Sequence, residues 1–238
     1  MYKEEKEIAS TLVDLNLECK LSALFLLFQD LATSDAEQFG AGKSNTIDKG
    51  LHWIITRFDV EIIRMPRYLE KVVAMSYPGD NNPLFFNRYF VIEDLKGNVL
   101  VKAVSVWAVI DFKNHSLVKN PFPGIIFPTM HRDDELPTPR KLSGSADNII
   151  YSRIISYSDI DLNSHLNNTR YIELIQDSFD ISFYKKHCIK SISINYLQEL
   201  RAGDEVSLYQ SSSDNKTTII GRKDDKDHFI SEITYIDR

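Results

Sequence analysis

A polar stretch over residues 158–168, Ser-Asp-Ile-Asp-Leu-Asn-Ser-His-Leu-Asn-Asn, collects side chains that could carry out acid-base chemistry. Asp161, Asn163 and His165 occupy alternate positions directly before an apolar run. A histidine can position or deprotonate water near neutral pH, and a carboxylate can orient that water or share its proton. If the apolar run forms a helix, its first backbone amides would stabilise an oxyanion. The stretch is therefore a candidate site for hydrolysis of an acyl bond without a serine nucleophile.

The same residues also suit a turn followed by a helix cap. Asp and Asn side chains bind free amides at a helix start and tolerate tight turns. This interpretation accounts for Asp159, Asn167 or Asn168 without a functional role, but it does not require the three alternating side chains together. Alternate positions in an extended approach lie on one side of the chain, so we expect those three to form a polar cluster before the helix.

Hydrophobic periodicity predicts one long helix in each half of the chain. In the first half, apolar residues from Leu21 to Phe39 follow one helical face, and Gly40 and Gly42 end it. In the second half, the helix covers about residues 167–184. Runs rich in β-branched and aromatic residues are predicted as strands, at 51–63, 69–77, 85–94 and 99–111 in the first half and at 148–156, 189–198, 204–210, 216–222 and 228–236 in the second.

The order of strand, long helix and several antiparallel strands therefore occurs twice. This predicts an α+β fold in which each helix covers the inner face of a sheet. Five of the eight prolines fall between residues 121 and 139, which is typical of a linker. We accordingly divide the chain into a first domain over residues 1–118, a proline-rich linker over 119–145 and a second domain over 146–238.

Composition narrows the classes of function. With 43% hydrophobic and 11% aromatic residues among 238, the chain can bury a sizeable core. A formal charge of −6 gives no general attraction to nucleic acid, which needs a basic face. Two cysteines make no disulfide framework. The charged first residues lack the apolar core of a signal peptide and no apolar run approaches the ~20 residues of a membrane span, so we expect a soluble cytoplasmic protein.

Other motif candidates carry less weight. The segment Gly40–Ser44 ends like a phosphate-binding loop, but Glu37 stands where the pattern needs a glycine, and the segment ends a helix rather than opening one. Cys188 could act as a nucleophile with His165, although most buried free cysteines simply fill apolar space. Residues 120–128 fall inside the linker, and we interpret them as a connection. The remaining histidines show no paired metal-ligand spacing, so no metal or cofactor is predicted.

The polar stretch and its continuation, S-D-I-D-L-N-S-H-L-N-N-T-R-Y-I, closely resemble the motif of the acyl-acyl carrier protein (acyl-ACP) thioesterases, the plant plastid enzymes and their bacterial relatives. The first half resembles the same family through several segments in the family's order and at compatible spacing. These segments are Trp53–Arg57, Glu61–Pro66, Arg88–Asp94 and Ser105–Asp111. The resemblance spans nearly the whole chain.

This resemblance implies two tandem hotdog domains, each a long helix wrapped by an antiparallel β-sheet, with catalysis in the second domain and the acyl pocket in the first. It implies that Asp161, Asn163 and His165 are catalytic and that Glu199, from the following strand, is the fourth catalytic residue. The family has a cysteine directly after that glutamate. This chain has Leu200 there, which cannot act as a nucleophile.

A mechanism follows from the resemblance. We expect Glu199 and His165 to activate a water that attacks the thioester carbonyl. Asn163 would hold that water or the carbonyl, and Asp161 would orient the neighbouring groups, with backbone amides at the helix start binding the oxyanion. Direct attack by a carboxylate, giving a mixed anhydride, is the alternative.

The implied substrate is a fatty acyl chain on the phosphopantetheine arm of acyl carrier protein, released as free fatty acid to terminate fatty acid synthesis. Because the carrier is acidic, docking needs a local basic face. The candidates are Arg132, Arg140 and Lys141 in the linker and Lys185, Lys186 and Lys190 after the second helix. We expect a monomer or a homodimer. Two other functions are compatible with the fold: a hotdog thioesterase acting on acyl-coenzyme A, and a non-catalytic acyl- or carrier-binding protein.

Overall fold

The computed structural model describes residues 1–238 as three α-helices, eleven strands and a few short 3₁₀ turns. The helices are α1 (Leu21–Gln38), α2 (Asn168–Asp177) and α3 (Ile181–Lys186). The strands are β1 (Tyr2–Glu7), β2 (Leu51–Ile62), β3 (Lys71–Asn81), β4 (Phe86–Asp94), β5 (Val99–Asp111), β6 (Ser116–Leu117), β7 (Asn148–Ile154), β8 (His187–Tyr196), β9 (Glu205–Ser213), β10 (Lys216–Lys223) and β11 (Lys226–Asp237).

All eleven strands form one antiparallel sheet, and ten of them make two equivalent sets of five. Its order is β1-β3-β4-β5-β2-β8-β11-β10-β9-β7, with the short β6 paired to β5. Read outward from the middle, β2-β5-β4-β3-β1 in the first half matches β8-β11-β10-β9-β7 in the second. The two sets join where β2 pairs with β8, from Arg57 opposite Asn195 to Glu61 opposite Ser191. The predicted α+β fold with a repeated tandem arrangement is confirmed.

The long helices cover this sheet because each has one apolar face. Leu24, Phe28 and Leu31 of α1 and Ile172 and Ile175 of α2 are fully buried, within a cluster of 35 buried residues that includes strands of both halves. The helices also contact each other. None of the helices is long and apolar enough to cross a membrane. The two halves therefore share one hydrophobic core, which fixes their relative position.

The second long helix is shorter than its periodicity predicted. The prediction covered about residues 167–184, whereas α2 ends at Asp177 and a separate helix, α3, begins at Ile181. Asp180 explains the break. Its side-chain Oδ1 accepts hydrogen bonds from the amides of Ser182 and Phe183, so it caps a new helix start instead of continuing the old one.

The glycine-containing segment after α1 ends that helix, as predicted. Gly40 adopts a left-handed φ of 84°, and the amide of Ala41 donates to the carbonyl of Ala36 at 2.9 Å. A side chain at Gly42 would collide with the carboxylate of Glu37, which accepts the amide proton of Lys43 at 2.7 Å. A protein carboxylate thus occupies the position where a phosphate-binding loop would hold an anion.

The proline-rich segment is bound to the sheet at the junction of the two halves. Arg57 donates to the carbonyl of Pro139 at 2.7 Å, and the side chain of Asn195 accepts from the amide of Leu142 at 2.8 Å. Arg57 and Asn195 lie opposite each other in the β2–β8 pair. Polar groups at the centre of the sheet are satisfied by this segment, so it stabilises the junction.

Residues 120–128 pack against the first half as well as connecting the two halves. Phe122 and Phe127 pack in an aromatic cluster with Trp53 and Phe86, with ring centroids 5.1 Å apart both for Trp53 with Phe122 and for Phe86 with Phe127. Large aromatic side chains bury more area than a solvated connection needs. The segment therefore closes one side of the first half.

Candidate active site

The polar motif folds into a tight loop over residues 161–165. The amide of Asp161 donates to the carbonyl of His165 at 2.9 Å, and Ser164 adopts a left-handed φ of 62°. Asp161 Oδ1 accepts from the amides of Asn163 at 2.8 Å and His165 at 3.4 Å. The extended approach that we expected is therefore wrong, because the Asp161 carboxylate folds back to satisfy the loop's own amides. Asp161 fixes the loop.

An equivalent loop precedes α1 in the first half. Asp14 Oδ1 accepts from the amides of Asn16 at 2.8 Å and Glu18 at 3.2 Å, and the amide of Asp14 donates to the carbonyl of Glu18 at 2.8 Å. Leu17 has the left-handed φ of 59° that Ser164 has in the other loop. The 14–18 loop and the 161–165 loop thus share one backbone design, with glutamate at the position that histidine holds in the second.

His165 lies beside Glu199, the residue that the family resemblance implies acts together with it. His165 Nε2 lies 2.8 Å from Glu199 Oε2, and Arg201 Nη2 lies 3.1 Å from the same oxygen. The side chains of His165 and Glu199 are 17% and 39% exposed, so water reaches the pair. In the first loop, Glu18 instead pairs with Arg238 at 2.8 Å.

The start of α2 keeps one free backbone amide. The side chain of Asn167 caps the helix by accepting from the amide of Thr169 at 2.9 Å, and the amide of Arg170 donates to the carbonyl of Asn167. The amide of Asn167 itself donates to the carbonyl of Asp159. The Asn168 N–H makes no hydrogen bond within the protein. Of the several helix-start amides that we expected to bind an oxyanion, this one remains available.

Asp159 has a structural role, as the alternative interpretation suggested. It is 2% exposed, pairs with Arg153 at 2.7 Å and forms a reciprocal capping box with Ser156. The turn-and-cap interpretation therefore describes Asp159 and Asn167, whereas it leaves the His165–Glu199 contact unexplained.

A cavity of about 390 Å³ opens beside the 161–165 loop. Its wall is formed mainly by the first half, through α1, the segment after it and strands β2, β3, β4 and β5. Phe127 of the proline-rich segment contributes as well. From the second half, Asp161 and Asn163 line it, together with Asn167 and Asn168. His165 and Glu199 are not among the lining residues. The predicted site residues are thus divided between the cavity wall and an adjoining, partly exposed pair.

The first half also supplies a buried ion pair to this wall. Arg88, which lines the cavity, donates to Asp35 at 2.6 Å and to Ser76 at 2.8 Å. Asp35 is 1% exposed. Burial lowers the pKa of Arg88 while the nearby Asp35 opposes that shift. The cavity therefore combines apolar surface with a neutralised charged pair.

Neither cysteine is placed to act as a nucleophile. Leu200, at the family's cysteine position, is fully buried, and its carbonyl accepts the amide proton of Leu166 at 2.7 Å. Burial raises the pKa of the Cys19 thiol to about 12. Cys188 lies opposite Ile236 in the β8–β11 pair. No group of three or more His, Cys, Asp or Glu side chains converges as a metal site.

Sequence reasoning missed one residue of the site. His52, at the start of β2, forms a hydrogen bond through Nδ1 with Asn163 Oδ1 of the 161–165 loop and also lines the cavity. The histidines outside the polar stretch are scattered along the sequence, and no motif marks this one. Its partner is 111 positions away, so no local pattern could reveal the contact.

Comparison with known proteins identifies relatives for both halves. The family model described as the acyl-ACP thioesterase N-terminal domain matches residues 1–121, and that of the acyl-ACP thioesterase C-terminal domain matches residues 146–233. A dodecanoyl-[acyl-carrier-protein] hydrolase of Cinnamomum camphora is 25% identical over 72% of this chain and 49% of its own length. An oleoyl-acyl carrier protein thioesterase of Arabidopsis thaliana is 23% identical over 96% of this chain and 71% of its own length. The chain spans about half the length of several of the curated relatives that it matches.

Solved structures share the fold over the whole chain. The crystal structure of an acyl-ACP thioesterase from Bacteroides thetaiotaomicron superposes with a TM-score of 0.91 and 24% identity, covering 99% of this chain and 97% of the other. The 12:0-ACP thioesterase from Umbellularia californica superposes with a TM-score of 0.86 and 18% identity, covering 100% and 97%. The double hotdog fold predicted from the sequence is confirmed.

Proposed function

The chain belongs to the acyl-ACP thioesterase family, and from that premise we propose that it hydrolyses the thioester of a fatty acyl chain on acyl carrier protein, which releases free fatty acid and ends chain elongation. One observation carries the proposal. The His165–Glu199 pair, 2.8 Å apart, lies next to a loop whose Asp161 and Asn163 line a cavity of about 390 Å³. A base, a water supply and an acyl-sized cavity thus adjoin one another.

In the proposed reaction, His165 takes the proton of the attacking water. Its Nε2 faces the Glu199 carboxylate, so Nε2 carries the proton and Nδ1 has the free lone pair. The water oxygen bonds to the thioester carbon and its proton passes to Nδ1. Glu199 orients the ring and stabilises the imidazolium. When the tetrahedral intermediate collapses, the C–S bond breaks and the leaving thiolate takes the proton back, which yields the carrier thiol and the fatty acid.

The oxyanion of that intermediate needs donors at the cavity wall. Asn163 and Asn168 both line the cavity, and the free Asn168 N–H lies at the helix start. The Asn163 NH₂ group makes no hydrogen bond within the protein. These two groups are the donors that we assign to the oxyanion. Asp161 keeps its role from the sequence prediction, since its hydrogen bonds to the 161–165 loop hold Asn163 in place.

The acyl chain belongs in the first half under this proposal. Most of the cavity wall comes from the first half, through α1, the segment after it and strands β2 to β5, which supports assigning the acyl pocket to residues 1–118, the catalytic unit to 146–238 and the linker to 119–145. Trp53, Phe86 and Trp107 supply apolar wall. Phe127 extends the wall into the linker, so linker substitutions are expected to change chain-length preference.

Docking of the acidic carrier protein requires basic groups near the cavity. Arg132 and Arg140 pair with Glu93 and Glu232, so these two linker candidates are already partly neutralised. Lys185 and Lys186 follow Tyr184, whose carbonyl accepts a hydrogen bond from Asn16. These two lysines therefore lie beside the 14–18 loop instead of the 161–165 loop, which argues against them as the docking site. Lys43 lines the cavity, where its Nζ pairs with the exposed Asp48 at 2.7 Å, and we propose it as a further candidate beside Lys141 and Lys190. The cytoplasmic location and the oligomeric state stay predictions.

Fatty acid release from a ladder of acyl chains tests the proposal, with each chain presented on acyl carrier protein and, in parallel, on coenzyme A. His165→Ala is the inactive control. We expect release from the carrier protein that the variant loses. Release from coenzyme A alone would assign the chain to acyl-coenzyme A hydrolysis. Binding without release from either would make it an acyl- or carrier-binding protein.

A further inference from the structure

His52 lies in the first half of the chain, yet its imidazole binds the loop that carries the candidate catalytic residues. His52 Nδ1 is hydrogen-bonded to Asn163 Oδ1, and both side chains line the cavity. β2 is also the strand that pairs with β8 at the centre of the sheet. The contact therefore links the 161–165 loop to the start of a strand that belongs to the other half.

The chemistry of the two groups fixes the direction of this hydrogen bond. A carboxamide oxygen can only accept, so His52 Nδ1 must carry the proton. The ring is also held in place, because it packs against Phe112 with centroids 4.6 Å apart and an angle of 30° between the ring planes. His52 is thus a preoriented donor aimed at one end of the Asn163 side chain.

The equivalent loop in the first half provides an internal comparison. Asn16 has the same place in the 14–18 loop, but its NH₂ group is used: Nδ2 donates to the carbonyl of Tyr184 at 2.9 Å and to Asp14 Oδ2 at 3.4 Å. At Asn163 the oxygen is used instead, and Nδ2 is left without a protein partner. The group opposite each asparagine therefore decides which end of the carboxamide is free.

We propose that His52 is a positioning residue for thioester hydrolysis: by donating to Asn163 Oδ1, it turns the NH₂ group of Asn163 toward the substrate carbonyl. This inference rests on the proposed function. Without the donor, the carboxamide can rotate and present its oxygen to the developing oxyanion, which it would repel. Because the donor matters most when negative charge develops on the carbonyl oxygen, its loss lowers kcat rather than raising KM.

Two substitutions separate hydrogen bonding from packing. His52→Asn keeps a donor on the δ position, where the imidazole has Nδ1, whereas His52→Phe keeps an aromatic ring against Phe112 and removes the donor. Loss of an oriented oxyanion donor costs up to 10²–10³ in kcat, so we expect His52→Phe to lower kcat by about 10- to 100-fold with KM within about twofold. His52→Asn should retain kcat within about threefold of wild type. His131→Phe, at an exposed linker histidine, controls for the loss of an imidazole.

Nuclear magnetic resonance of protein labelled with ¹⁵N-histidine gives a readout independent of activity. We expect His52 to be protonated at Nδ1 in the wild type and to lose that preference in Asn163→Ala. Wild-type kcat in His52→Phe, or an equal loss in His52→Phe and His52→Asn, would overturn the proposal, as would a wild-type His52 protonated only at Nε2. Absence of fatty acid release by the wild type would instead reject the proposed function, while the spectra would still test the contact.

Discussion

Replacing Glu199 by glutamine separates the two chemical routes open to this site. The variant keeps the size of the side chain and an oxygen that can accept the His165 N–H, but it removes the charge and the nucleophilic carboxylate. In the proposed route, His165 can still take a proton from water. In the anhydride route, the carboxylate itself bonds to the acyl carbon, so glutamine cannot replace it.

The contact between His165 and Glu199 sets the size of the expected loss. A hydrogen bond to a charged partner contributes about 1.5–3 kcal/mol, and about 1.4 kcal/mol corresponds to a tenfold change in rate. The pair is partly solvated, with 39% of the Glu199 side chain exposed, which favours the lower end of that range. We therefore expect Glu199→Gln to lower kcat by about 10- to 30-fold with KM nearly unchanged.

Steady-state release of fatty acid from saturating acyl-ACP measures this change. Glu205→Gln is the matched control, because Glu205 is an exposed glutamate at the start of β9 that takes no part in the hydrogen bonds of the site. Hydroxylamine in the wild-type reaction would convert an acyl anhydride into a hydroxamate. Because hydroxylamine also cleaves thioesters directly, hydroxamate is counted only in excess of the amount formed without enzyme. Wild-type kcat in Glu199→Gln would refute the role of Glu199 altogether. Complete loss of activity in the variant, together with hydroxamate from the wild type, would replace the water route by the anhydride route.

Three further predictions address the loops, the buried pair and the pH dependence. Asn163→Ala should lower kcat by about 100-fold while Asn16→Ala leaves it unchanged in the same release assay, since only the first lines the cavity; equal effects would contradict the assigned roles. Arg88→Met leaves the carboxylate of Asp35 buried without its guanidinium, so thermal and urea unfolding should show a loss of about 3–5 kcal/mol that the added change Asp35→Leu largely reverses. The hydrogen bond from Arg64 lowers the pKa of Glu70 below its ordinary value of 4.5. The Glu70 carboxylate therefore stabilises the fold at pH values above 4.5, and this contribution is lost as the pH falls through the lower pKa of the folded state. Urea unfolding of Glu70→Gln at a series of pH values below 5 should therefore show a shallower fall in stability than wild type, and an unchanged slope would contradict this.

Much of the fold could be read from the sequence because local patterns specified it. The strand predicted at 99–111 coincides with β5, and the one at 51–63 differs from β2 by one residue. Alternation and β-branched composition are properties of a few consecutive residues, so they predict a strand even when the strands that pair with it are unknown. The predicted second helix is too long because hydrophobic periodicity continues through Asp180. There the Asp180 side chain caps the start of α3, so α2 does not continue.

The site could be predicted only in part, because its geometry depends on partners far away in the chain. The pairing of His165 with Glu199 followed from a family resemblance. The contact of His52 with Asn163 had no such source, since the two residues are 111 positions apart and meet only in the folded chain. One unused signal was present. The tripeptide Asp-Leu-Asn occurs at residues 14–16 and again at 161–163, and it would have indicated that the loop is duplicated.

That duplication shows what the candidate site adds to an ordinary structural loop. Both loops use an aspartate to bind their own amides and both precede a long helix, so the backbone design by itself serves only to start a helix. In the first loop, Glu18 is neutralised by Arg238, and the side-chain NH₂ group of Asn16 donates to the carbonyl of Tyr184 in the opposite half. In the second, a histidine faces a partly exposed carboxylate and the corresponding asparagine keeps its NH₂ group free. The 161–165 loop is therefore distinguished by a proton acceptor, His165, and by an unoccupied donor, the NH₂ group of Asn163, beside one cavity. Each depends on a group outside the loop: His165 on Glu199, and Asn163 on His52.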